Sequence, residues 1–144
     1  MAAAETASSG SGIDVTAVTT LTSDYIYRGI SQSAGDPAVQ GYVEATHRLL
    51  YAGVWASSVD FGKQCKRAGN LQEVADLELS PYAGIRPKWQ GINFDFGVAY
   101  YAYPGSFRSA DLNYVEFDAA VSYTMFDKLT FWSGLVVAER GSQQ

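Results

Sequence analysis

From Ile13 onward apolar and polar residues alternate with a period of two, the mark of strands whose two faces meet different surroundings. The first segment sets Ile13, Val15, Ala17 and Leu21, then Tyr25 and Tyr27, against Asp14, Thr16, Thr20, Thr22, Asp24 and Arg28. Weaker segments cover residues 38–46 and 50–59, the latter turning Trp55 inward. The fourth opposes Leu77, Leu79, Pro81, Ala83 and Ile85 to Asp76, Glu78, Ser80, Tyr82, Gly84 and Arg86. The fifth opposes Ile92, Phe94, Phe96, Val98 and Tyr100 to Asn93, Asp95, Gly97, Ala99 and Tyr101. The sixth sets Val115, Phe117, Ala119, Val121 and Tyr123 against Tyr114, Glu116, Asp118 and Ser122. The seventh sets Leu129, Phe131, Leu135 and Val137 against Lys128, Thr130, Trp132 and Gly134. The pattern predicts an all-β, antiparallel up-and-down meander of about seven strands over residues 13–138.

No charge falls on the apolar side of any segment. A membrane barrel purges charge from its lipid face, where Arg or Lys costs about 2–4 kcal/mol at the midplane. A water-soluble barrel purges its core face because unpaired buried charge is costly. Alternation alone therefore admits both. The connections discriminate better, since they run long, short, long, short, long, short. Residues 31–37, 60–75 and 104–111 are the long ones, and 47–49, 87–90 and 124–127 the short ones. Bacterial outer-membrane barrels have this rhythm, with short periplasmic turns and longer outer loops. Several segments also approach the 9–11 residues that a tilted strand needs to cross a bilayer.

Composition narrows the alternatives. The net charge of −5 lacks the basic stripe of a nucleic-acid binder. One Cys excludes an internal disulfide framework, and no apolar run is long enough for a transmembrane helix. Residues 1–12, small and polar, read as a flexible segment without the basic start and apolar stretch of a signal peptide. Residues 139–144 read as a polar tail or the start of a further loop.

The stretch Asp24-Tyr25-Ile26-Tyr27-Arg28-Gly29-Ile30-Ser31-Gln32-Ser33, followed by Asp36-Pro37-Ala38-Val39-Gln40-Gly41, resembles the TorF family of porin-like Gram-negative outer-membrane proteins. Tyr51-Ala52-Gly53-Val54-Trp55-Ala56-Ser57, Val59-Asp60-Phe61-Gly62 and Ala75-Asp76-Leu77-Glu78-Leu79 are similar to the same family, in the same order. So are Tyr100-Tyr101-Ala102-Tyr103-Pro104-Gly105 and Asn113-Tyr114-Val115-Glu116. The resemblance implies a transmembrane outer-membrane β-barrel with a pore role, and carries over no catalytic residue. Two departures stand out. The loop run Lys63-Gln64-Cys65-Lys66-Arg67-Ala68-Gly69-Asn70 is longer and more basic than the family pattern. Family members also continue with further strands, and bacterial barrels have an even strand count. Seven strands therefore suggest an N-terminal piece of a longer barrel; the alternative is a complete small barrel with an eighth strand that the pattern does not mark.

The polar face is where a pore acts. It holds Asp14, Asp24, Glu44, Asp76, Glu78, Asp95, Glu116 and Asp118 against Arg28, Arg86 and Lys128. Acidic rings favour cations, so weak cation selectivity is one expectation. The other is that these charges pair across a narrow interior and fill it. Arg28, beside Gly29, reads either as a constriction residue or as a partner of Asp24 or Glu44. Tyr25, Tyr27, Tyr100, Tyr101, Tyr103, Tyr123 and Trp132 lie near segment ends, where aromatic girdles form. A lone His47 in a short turn argues against a zinc site, and the missing G-x-S-x-G elbow against a Ser–His–Asp triad; Cys65 among cations reads as an exposed thiol. The expected role is porin-like diffusion of small polar solutes, by a non-enzymatic barrel without cofactor. Its partners would be outer-membrane lipids, lipopolysaccharide and, if the barrel associates, copies of itself. The alternatives are a non-conducting outer-membrane barrel and a soluble lipocalin-like barrel holding an apolar ligand.

Overall fold

The structure, a computed structural model, describes residues 2–8, 12–65, 71–104, 106, 112–126 and 129–140. These form an antiparallel meander without helix. Its long strands are β1 (Ala2–Ser8), β2 (Asp14–Thr22), β5 (Ala38–His47), β6 (Leu50–Ser58), β9 (Leu77–Ile85), β11 (Ile92–Tyr101), β12 (Tyr114–Met125) and β13 (Leu129–Arg140). They pair in chain order, with β1 and β13 at the two edges. Short strands decorate the connections. β3 (Ile26–Tyr27) pairs with β4 (Ile30–Ser31), β7 (Lys63–Cys65) with β8 (Leu71–Glu73), and β10 (Lys88–Trp89) with the start of β11.

All seven expected segments are strands, and the long connections share one end of the sheet. Three corrections follow. First, the stretch expected to be flexible contributes β1, an eighth long strand paired with β2 from Ala2↔Thr20 to Ser8↔Asp14. A ladder of backbone bonds at a sheet edge needs no hydrophobic alternation, so the pattern was silent there. With β1, the long strands among the described residues number eight. Second, the first segment does not run on through Tyr27. It stops at Thr22 and gives way to a two-residue hairpin turn at Arg28 (φ 49°) and Gly29 (φ 82°). Paired positive φ values are the signature of the turn that matches strand twist. Third, β13 reaches Arg140, two residues past the expected boundary.

The ladder between β9 and β11 is interrupted around Pro81, which has no N–H to donate. It resumes in register at Leu79 and Ala102, which exchange two 2.9 Å backbone bonds.

Burial runs opposite to that of a water-soluble domain. The apolar phase is outside: Leu21 is 57% exposed, Phe117 51% and Leu135 66%. The polar phase is inside: the largest fully buried side chains are Glu78 and Ser57. A single sheet buries one face only by curling around it, so the polar face is the concave one. A small apolar cluster of Val59, Ala75 and Tyr103 packs beneath the long connections.

Candidate functional site

The concave face carries two clusters of charge separated by a cavity. At the short-turn end, the Arg86 guanidinium grips Glu44 with two bonds, Nη1 to Oε1 at 2.5 Å and Nη2 to Oε2 at 3.0 Å. Its Nε donates to Asp95 Oδ2 at 3.0 Å. The Tyr51 hydroxyl donates to Asp95 Oδ1 at 2.7 Å, and Arg86 lies 3.7 Å above the Tyr51 ring. The fork geometry of guanidinium suits this divided grip. Position follows from the strands: β5 presents Glu44, β6 Tyr51 and β11 Asp95, all on the inward phase.

Glycine makes room for the rings. Tyr51 lies directly across from Gly84, and Tyr82 across from Gly53. A Cβ at Gly53 would stand 2.6 Å from the Tyr82 hydroxyl, and one at Gly84 would collide with Tyr51 and the Phe96 carbonyl. These two glycines are the seats on which the inward tyrosines lie.

At the long-connection end the β3–β4 hairpin folds over the concave face. Tyr25 packs against Trp55 with ring centroids 5.4 Å apart. Arg28 Nη2 donates to Glu116 Oε1 at 2.8 Å, and the Tyr27 hydroxyl to Glu116 Oε2 at 2.9 Å. Glu78, on β9, accepts from the Tyr103 hydroxyl at 2.9 Å through Oε2, and the Tyr25 and Ser80 hydroxyls also bear on its carboxylate. Burial first, and then the charge of Glu78, push the Tyr25 and Tyr103 phenols up, so both stay protonated. The hairpin is pinned at its root by Asp24, which accepts from Ser31 Oγ at 2.6 Å and Ser33 Oγ at 2.9 Å. The Ser31 bond first, and then the Ser33 bond, hold the Asp24 carboxyl below its ordinary value.

Of the residues expected to line a pore, Arg28, Glu44, Glu78, Arg86, Asp95, Glu116 and Asp118 meet on this face. Asp24 sits in the hairpin root instead. Asp76 is exposed beside the long connection, where its carbonyl accepts from Val59. Arg28 pairs with neither Asp24 nor Glu44, the partners expected for it. Asp24 is held by serines and Glu44 by Arg86, and the hairpin carries Arg28 across to Glu116.

Tyr100 and Tyr123 face outward as girdle residues would, 43% and 44% exposed. Tyr25 and Tyr27 do not, because the chain turns inward after Thr22, and Tyr101 and Tyr103 also lie inside. Trp132 pairs with Ser122 and so shares the polar phase. The roles expected for Lys128, Lys66 and Arg67, and for the side chains of Lys63 and Cys65, lie outside the described residues. His47 Nδ1 meets the Gly12 carbonyl at 2.9 Å, a structural contact within the turn end. Tyr51, Tyr82 and Ser80 were missed as site residues, although each occupies the polar phase of its strand.

Between the clusters lies a cavity of about 270 Å³, lined by Tyr25, Tyr51, Trp55, Ser80, Tyr82 and Asp118 among others. Among the described residues no group of three or more His, Cys, Asp or Glu converges as a metal site would require. The model of a family described as "Bacterial protein of unknown function (Gcw_chp)" matches residues 5–134. No curated protein and no solved structure matches the chain.

Proposed function

The chain belongs to the Gcw_chp family, and from that premise we propose that it forms a porin-like β-barrel of the bacterial outer membrane that passes small polar solutes or ions. The inverted burial carries this reading. The exposed side of the sheet presents Leu21, Val43, Val54, Phe96, Phe117, Val121 and Leu135, while Glu78, Glu116, Ser57 and Ser80 are buried. In water each such Leu, Val or Phe forfeits about 1.5–3 kcal/mol of burial, and the combined patch far exceeds what monomeric soluble proteins expose. In a bilayer the same face is solvated by acyl chains. A lipocalin-like cavity requires the reverse arrangement, with the apolar face inside. The long connections gathered at one end agree with the reading.

In this reading β2, β5, β6, β9, β11, β12 and β13 cross the membrane, and the long connections face lipopolysaccharide. The concave face holds Glu44, Glu78, Asp95, Glu116 and Asp118 against Arg28 and Arg86. That excess of carboxylate favours cations. Planar-bilayer recording tests the function: discrete conductance steps with a reversal potential shifted toward cation passage are expected. Absence of steps from protein that fractionates with outer membranes and shows heat-modifiable gel migration would overturn it.

A second reading has its own observation. Both inner guanidinium groups are committed to carboxylates, and the β3–β4 hairpin covers part of the face. These favour a filled, non-conducting barrel. Liposome swelling with sugars of graded size separates the two readings.

A further inference from the structure

We propose that the cavity between the two charge clusters binds a small organic cation, an amine or quaternary ammonium. The inference deepens the porin-like reading by naming a solute class, and it rests on the same concave face. Three observations carry it.

The first is the wall. Tyr25, Trp55, Tyr82 and Tyr101 surround the space, and Tyr25 and Trp55 meet at 56° so that their faces open an angle rather than a stack. Aromatic faces are electron-rich and hold cations, Trp best.

The second is the charge. Asp118 lines the cavity, and among the described residues no Lys, Arg or His lies within ion-pair distance of it. Arg86, on the same face, is committed to Glu44 and Asp95. The Asp118 carboxylate is seated over Gly97, where a Cβ would stand 2.6 Å from Oδ1. A carboxylate held on a glycine seat beside aromatic rings, without a cation of its own, is half of an ion pair.

The third is an unmet acceptor. Ser80 lines the same cavity and is 3% exposed, and its hydroxyl turns its hydrogen to the Glu78 carboxylate. The lone pairs of Oγ are left for a donor, which an ammonium N–H or a ligand hydroxyl would supply. The volume, about 270 Å³, lies just below the usual range for ligand pockets. It selects small ligands.

A sugar also stacks on aromatic rings, so the test uses probes that separate charge from shape. The full chain, folded in a non-ionic polyoxyethylene detergent, is titrated calorimetrically with choline, with its neutral isostere 3,3-dimethylbutan-1-ol, and with glucose. Choline is expected to bind at least tenfold more tightly than the isostere, with glucose weaker than choline. Asp118→Asn is expected to remove most of that discrimination while the far-ultraviolet spectrum is retained. The comparison of choline with its isostere needs no variant, so it decides the matter even if Asp118→Asn fails to fold. Equal affinity for choline and isostere, no binding of choline, or tighter binding of glucose would each overturn the proposal. Conductance is read separately: choline binding without conductance sinks the porin-like reading and leaves the site, and conductance without choline binding does the reverse.

Discussion

The two ends of the concave face solve one problem differently. At the short-turn end, Arg86, Glu44, Asp95 and Tyr51 sit on or directly after β5, β6, β9 and β11, so the strand register alone brings them together. At the long-connection end, Glu116 obtains its cation only because the β3–β4 hairpin folds across the sheet, and Glu78 is met by hydroxyls rather than by a cation. The first cluster is as permanent as the sheet. The second lasts as long as the hairpin stays down, and Arg28 is half exposed there. Local opening free energies in proteins span from near zero at mobile loops to the global value. The contrast therefore separates a structural network from a movable one.

Four experiments break or sharpen that contrast. The largest effect is expected from Gly84→Ala at the turn end. Its methyl meets both the Tyr51 ring and the Phe96 carbonyl, and a backbone atom cannot yield. Overpacking of this kind costs about 3 kcal/mol, read as a lower urea midpoint in detergent, and an unchanged midpoint would refute the seating of Tyr51. Next is Arg86→Met, which strands Glu44 and Asp95. Arg86 is partly solvated, so a loss of about 2 kcal/mol is expected, below the 3–5 kcal/mol of a fully buried pair.

Glu116→Gln should cost less, about 1 kcal/mol, because one neutral acceptor replaces a charged one. Its informative effect is release of the hairpin: faster trypsin cleavage at Arg28 and, on the porin-like reading, a larger unit conductance. If cleavage is unchanged, the hairpin is held by something other than Glu116. The smallest effect belongs to Asp24. Its folded pKa is depressed by Ser31 and Ser33, so its contribution is complete above the unfolded value near 3.9 and fades as pH falls through the lower folded value. Acidification below about pH 4 should loosen Ser33, which accepts the Tyr25 N–H at 3.0 Å, and then the Tyr25–Trp55 contact. Tryptophan fluorescence should follow, and Asp24→Asn should abolish that acid-dependent change.

Much of this was legible in the sequence. Period-two alternation assigned the inward phase of Glu44, Glu78, Asp95, Glu116 and Asp118 because a strand leaves each side chain only two directions. What alternation does not carry is pairing across strands. Taken as one strand, the first segment sets Arg28 beside Asp24 and Glu44; β2 instead ends at Thr22, and the β3–β4 hairpin carries Arg28 to Glu116. The same inward fold after Thr22 takes Tyr25 and Tyr27 from girdle to interior. β1 escaped because its pairing with β2 is made by backbone. Tyr51 and Tyr82 looked like ordinary strand aromatics until the register set each across from a glycine.

That reciprocal exchange of ring and hydrogen also governs assembly. β6 and β9 behave as a keyed joint. A one-residue slip would turn every side chain to the wrong face. A two-residue slip preserves the faces, and ordinary alternation would not detect it. Here it fails either way: one direction sets Tyr51 against Tyr82, and the other sets Gly53 against Gly84 while forcing Trp55 onto Tyr82. Four residues thus key the alignment of the two strands to a single register.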